Sequence, residues 1–123
     1  MAILTTGFNI SQSGLTPDAV NISFSGMQLT VEAPAVSQGG ATITKSTSVD
    51  VNATNTKATF VYIINKSATG GGIVTLGDTT NPFGRLQPGE WAFLPLDVST
   101  VLRVTEVGGS HDADVEYCYF TRA

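Results

Sequence analysis

The side chains able to do chemistry in this chain are few, and several gather near its end. His111 is the only histidine and shares the segment Gly-Gly-Ser-His-Asp-Ala-Asp with Asp112 and Asp114. An imidazole beside two carboxylates offers zinc-type donors, but zinc takes three or four ligands in fixed geometry. The triplet therefore predicts a weak surface site at most, with a solvated turn the simpler expectation. Cys118 is the only cysteine, which excludes an intrachain disulfide. Inside an apolar run, a lone thiol is expected as a small core residue. Nucleophilic catalysis needs a base within hydrogen-bond reach of the nucleophile and a third group to orient that base. No spacing here pairs a serine or Cys118 with His111.

Other candidates fail on their own chemistry. Residues 50–55, Asp-Val-Asn-Ala-Thr-Asn, have the oxygen donors that open a calcium loop. The sixth position lacks the turn-forming glycine, and Val61 stands where a bidentate glutamate belongs. The run Gly70, Gly71, Gly72 could cradle a phosphate only ahead of a helix N-terminus, usually with a lysine. A β-branched stretch follows it instead, so a flexible hairpin loop is expected. Asn21, Asn52 and Asn65 each open an Asn-x-Ser/Thr triplet, expected by chance in a chain rich in serine and threonine. No carboxylate pair recommends itself for glycoside chemistry. One histidine also argues against the metal-binding sandwiches of the cupin kind, which depend on several. The expectation is a protein that is not an enzyme, with no cofactor and no metal.

The elements that would have to position any site read as strands. The 123 residues, 41% apolar and only 13% charged, predict one domain with a real core. Abundant Val, Ile and Thr, with few Lys and Glu, argue for β-structure over helix. Apolar runs at 60–64, 73–77, 91–96, 101–107 and 113–122 are punctuated by Gly, Pro, Asn and Asp, and residues 77–84 read as a loop leading into Arg85 and Leu86. Gln87-Pro88-Gly89-Glu90 fits a type II turn, expected to join a hairpin. Upstream, Ile22 and Phe24 alternate with serines, then Met27, Leu29 and Val31 with polar residues. The phase slips by one at Ser25-Gly26, which calls for a bulge or turn, and Pro34 is expected to end that strand. Ile43, Val49 and Val51 share a phase in one half-exposed strand or two short ones. The fold expected is all-β: a single-domain antiparallel β-sandwich, jelly-roll-like, of about eight strands over 19–123. Residues 1–18 are expected as a short N-terminal arm or edge strand.

Charge and hydropathy narrow the partners. A net charge of −4 with six scattered basic residues disfavours nucleic acid, which needs clustered Lys and Arg, and acidic membrane surfaces alike. No apolar run approaches the roughly 18 residues of a membrane span, and the start lacks the pattern of a signal peptide. Synthesis in a cytoplasm is expected.

The remaining feature is apolarity on both faces of the same strands. Only one set of alternate residues can face a sandwich core, yet Phe60, Tyr62 and Ile64 alternate with Val61 and Ile63. Trp91 and Phe93 likewise oppose Ala92, Leu94 and Leu96, and Tyr117 and Tyr119 oppose Cys118 and Phe120. Apolar patches of this extent mark contact surfaces. A homo-oligomer is expected, with Val61, Ile63, Ala92, Leu94, Leu96 and Phe120 as its interface and Phe93 in the core. The alternative is that the N-terminal third folds over the second face.

Residues 60–122 resemble the C-terminal part of small structural proteins of tailed bacteriophages. In that pattern an apolar Tyr-Ile-x-Asn strand (Tyr62, Ile63, Asn65) precedes a Val-x-x-Gly strand (Val74, Gly77). A Leu-x-Pro-Gly-Glu-x-x-x-Leu-x-Leu unit follows (Leu86, Pro88, Gly89, Glu90, Leu94, Leu96), and a Val-Glu-Tyr strand (Val115, Glu116, Tyr117) closes it. The resemblance implies a virion protein of the capsid decoration, or cement, type, a trimer on the outer surface of the phage head contacting the major capsid protein. Ile3, Leu4, Phe8 and Ile10, spaced along the arm, are the candidate capsid contacts. A carbohydrate-binding or host-adhesion module of a phage tail or head fibre is the alternative, with Trp91, Tyr62, Tyr117 and Tyr119 able to stack on sugars.

Overall fold

Period-two alternation of apolar and polar residues builds strands along this chain. The computed structural model describes residues 2–12, 20–51 and 57–123, and among them it contains nine strands. These are β1 (Ala2–Gln12), β2 (Val20–Ile43), β3 (Ser48–Asp50), β4 (Thr59–Asn65), β5 (Ile73–Gly77), β6 (Pro82–Leu86), β7 (Trp91–Leu96), β8 (Arg103–Val107) and β9 (Ala113–Arg122). The strands at 73–77, 91–96 and 113–122 have the bounds their apolar runs predict. β6 was hidden because Pro82 and Gly84 read as loop residues; it pairs with β5 along an edge, where proline is tolerated. The calcium-like segment falls largely on residues 52–56, outside the described set.

The chain divides into two compact units, Met1–Pro34 with Ala123, and Ala35–Arg122. In the first, β1 pairs antiparallel with β2 from Ala2↔Val31 to Gln12↔Val20, so β1 is an edge strand of a long hairpin. The expected boundary at residue 18 falls in the connection between these two strands, among residues outside the described set. Between Thr6↔Met27 and Phe8↔Phe24 the register shifts, leaving one extra residue on β2 at Ser25-Gly26. Gly26 takes φ +70° there, a conformation that L side chains resist. This is the bulge that the phase slip predicts. β2 does not stop at Pro34 but runs on to Ile43. The ladder with β1 has ended at Val31, so beyond it the missing proline N–H removes nothing from that pairing.

The second unit is a sandwich of two antiparallel sheets, jelly-roll-like as expected. One sheet holds the later part of β2, then β9, β4 and β7; the other has the order β3-β8-β5-β6. Val61, Ile63, Leu96 and Val115 from the first sheet meet Val74, Leu76, Leu86 and Val104 from the second, with Ile43, Val51, Leu102 and Ala113 completing the core. Aliphatic side chains dominate because facing sheets lie only about 10 Å apart.

Two connections differ in role from the sequence expectation. Gln87-Pro88-Gly89-Glu90 is the predicted turn, with Gly89 at φ +90° and the Glu90 N–H donating to the Gln87 carbonyl at 3.0 Å. It joins no hairpin, since β6 and β7 belong to different sheets. The glycine run likewise carries the chain from β4 in one sheet to β5 in the other. Both crossings converge on Asn65, at the end of β4 and wholly buried. Its Nδ2 donates to the carbonyls of Gly72 (2.9 Å) and Leu86 (3.1 Å), and its Oδ1 accepts from the Ser67 N–H. Its backbone also bonds Gly89 and Glu90. One amide thus satisfies carbonyls that the crossings would otherwise leave orphaned.

Candidate functional site

Directly opposed residues in adjacent strands share a face, so register decides which of the two apolar sets lies inside. Val61 pairs with Leu94 on β7 and Tyr119 on β9, and Ile63 with Ala92 and Tyr117. Val61 and Ile63 have no exposed surface, Leu96 is buried among the core residues, and Ala92 and Leu94 pack against them. Five of the six residues expected as an oligomer interface, Val61, Ile63, Ala92, Leu94 and Leu96, are therefore core, and the expected assignment of faces is reversed. Between the sheets the gap is filled mainly by β-branched and leucine side chains, with Tyr117 and Tyr119 packed at its margin, while Phe60, Tyr62, Trp91 and Phe93 lie on the other face. Phe120, opposite Phe60, is the one member of the six on the outer face.

That outer face is aromatic. Phe60, Tyr62 and Ile64 of β4 share it with Trp91 and Phe93 of β7 and with Cys118 and Phe120 of β9. Phe60 and Phe93 stack with ring centroids 6.0 Å apart, and the Arg122 guanidinium lies 4.5 Å from the Phe60 centroid, a cation–π contact. Tyr62 and Trp91 lie tilted at 6.2 Å, and half of Trp91 (51%) is exposed. Cys118 is half-buried opposite Tyr62 rather than in the core. Burial pushes its thiol pKa up, which makes it a poor nucleophile. Tyr117 and Tyr119 pack against the core from the inner face, so they do not join Trp91 and Tyr62 in one sugar platform.

The hairpin carries a second apolar surface. Cross-strand pairs put Leu4 with Leu29, Thr6 with Met27, Phe8 with Phe24 and Ile10 with Ile22 on one face. The other face pairs Ile3 with Thr30, Thr5 with Gln28 and Asn9 with Ser23. Because of the bulge, the apolar stripe stays on one side along the whole hairpin. Phe8 and Phe24 stack at 5.8 Å beside a recess of about 470 Å³. Leu4, Phe8 and Ile10 of the candidate capsid contacts lie on this stripe, whereas Ile3 is on the opposite face.

Two of the residues first considered for chemistry, Asp112 and Asp114, serve as struts. Asp112 Oδ1 accepts the Lys45 N–H at 2.9 Å and Asp114 Oδ1 accepts the Thr42 hydroxyl at 2.8 Å. The Asp114 N–H donates to Ser67 Oγ. These bonds tie the start of β9 to the end of β2 and to the β4–β5 crossing. No three His, Cys, Asp or Glu residues are grouped as metal ligands among the described residues. Two features escaped the sequence. Glu106 is buried (2% exposed), where its Oε2 accepts the Ser46 N–H at 2.7 Å in a turn with Ser46 at φ +64°. Arg103 and Asp50, opposed on β8 and β3, form a bidentate pair at 2.8 and 3.1 Å. Arg103 also lines a groove of about 360 Å³ together with Asp78, Thr79 and Asn81. Hydrogen bonds from Arg103 hold the Asp50 carboxyl below its usual range.

No family model matches the sequence, and no curated protein matches it. Among solved structures, the chain is similar to the Cnp3 cupin domain of Schizosaccharomyces pombe, with a TM-score of 0.53 at 10% identity over 94% of this chain and 87% of that one. At that identity the likeness concerns the fold, a jelly-roll-like β-sandwich.

Proposed function

We propose that this protein is a structural component of a virus particle, of the tailed-bacteriophage capsid decoration type. In this reading it is not an enzyme: it works as a homo-oligomer, a trimer by the resemblance of residues 60–122, on the outer surface of the head against the major capsid protein. The observation that carries the reading is apolar side chain left exposed beyond the core: Trp91 on the outer face of β7, and Ile10, Ile22, Phe24 and Met27 on the hairpin. A protein that bridges coat subunits needs a rigid body and complementary surfaces, and no reactive group. Large exposed apolar surfaces favour contact over catalysis. The order and spacing of the Tyr62, Val74, Pro88-Gly89-Glu90 and Val115 motifs support the phage assignment. Purified protein added to heads that lack it is expected to bind them and raise their heat tolerance. Failure to bind, or absence from purified virions, overturns the proposal.

A second reading, a glycan-binding module of a tail or head fibre, is favoured by one arrangement: Trp91 half exposed beside Tyr62. A glycan array read with wild type and Trp91→Ala tests it, since stacking on sugar requires that ring.

A further inference from the structure

We propose that copies of this chain meet through the apolar face of the β1–β2 hairpin, each hairpin turning that face towards the same faces of the neighbouring copies about the axis of the assembly. The inference rests on the assembly reading above and names the surface responsible. A two-stranded hairpin is at best marginally stable in water and needs further strands or a packing partner on its apolar face. Here Ile10 (43%), Ile22 (53%), Phe24 (44%) and Met27 (49%) remain exposed, all on one face by register. Large apolar side chains present on the order of 200 Å² each, so these four leave about 400 Å². Because interfaces are typically a little over half apolar, that corresponds to about 700 Å² of contact per copy. A standard specific interface takes about 800 Å² per partner.

Charge favours a second copy as the occupant. The described hairpin strands carry no charged residue before Glu32. All six basic residues lie at or beyond Lys45, and eight of the ten acidic residues at or beyond Asp50. A chain of net charge −4 repels its own copies least where it carries no charge, and a strongly charged partner finds nothing there to pair with. The outer edge of β1 fits the same reading. It is eleven residues long, with no lysine, proline or charge to discourage association, devices that monomeric sheet proteins use at free edges.

The test is light scattering on the full chain at micromolar concentration, with Ile22→Asp, Phe24→Asp and the opposite-face control Ser23→Asp. Wild type and Ser23→Asp are expected to be assembled. A carboxylate forced into an apolar contact is expected to raise the dissociation constant of the other two about a hundredfold or more. Trp91, the only tryptophan, lies in β7, so its fluorescence checks that the sandwich stays folded. A second route avoids the destabilising charge: in a Cys118→Ala background, Phe24→Cys is expected to be joined between copies by a short bis-maleimide, and Ser23→Cys is not. A monomeric wild type overturns the inference. So do hairpin variants that stay assembled while Phe93→Asp dissociates, or that stay assembled but lose binding to phage heads. In those last two cases the decoration reading survives. Variants that dissociate as expected, with a wild type that never binds heads, would sink the decoration reading alone.

Discussion

Asn65 is the residue on which two crossings between the sheets depend. Its amide bonds two buried carbonyls and one backbone N–H, and removing it leaves those groups dry and unpaired. Asn65→Ala is expected to cost about 2–4 kcal/mol, read as a lowered urea midpoint with unchanged slope. The sequence marked Asn65 only as part of a phage-like motif and as the start of a glycosylation-type triplet. Its burial makes it a strut, with no amide left for a sugar. The Asp50–Arg103 pair supplies a pH test. With the folded carboxyl held below its ordinary value of 3.8, the pair's contribution is present above about pH 4 and is lost as the pH falls through the folded value. Asp50→Asn is therefore expected to be less stable than wild type at pH 7, and by a smaller margin at about pH 2.5. The difference will be modest, because both side chains are about one-third exposed. Equal differences at both pH values would refute this account.

At the scale of the element, β4 and β7 show how far a pattern can be read. Period-two alternation located both strands, and the slip at Ser25-Gly26 located the bulge, because local sterics alone set those features. Alternation cannot say which of two apolar sets faces inward. That choice depends on pairing partners and on the depth of the gap, and here it went to the aliphatics. Ile63→Asp is accordingly expected to prevent folding, since it buries an unpaired charge between Ala92 and Tyr117 in the core cluster. Phe93→Asp lies on the outer face and is expected to leave the sandwich folded, at a cost of about 0.5–1.5 kcal/mol from the lost Phe60 stack. Circular dichroism and soluble yield distinguish the two. Equal damage from both would mean that the faces are not distinct. The Pro88-Gly89 turn teaches a related lesson, because its geometry was local and legible while its role as a crossing between sheets was not.

For the molecule as a whole, assembly links stability to concentration. Anything that binds only the folded state raises its apparent stability by mass action. Wild type is expected to melt roughly 1–3 °C higher for each tenfold rise in concentration, and Ile22→Asp to melt at one temperature throughout. A flat wild-type profile would oppose an assembled native state.

The sequence by itself determined the all-β class, most of the strands, the bulge, the turn at Gly89 and the scarcity of charge in the N-terminal strands. All of these follow from residue type and near-neighbour spacing. Tertiary structure decided what depends on distant residues meeting: the inward face of β4 and β7, the role of Asn65, the Asp50–Arg103 pair and the gathering of Leu4, Phe8, Ile10, Ile22, Phe24 and Met27 into one stripe. His111, Asp112 and Asp114 belong to the same division. Their types suggested chemistry, but contacts with Lys45 and Thr42, some seventy residues away, engage the two aspartates in holding the fold together.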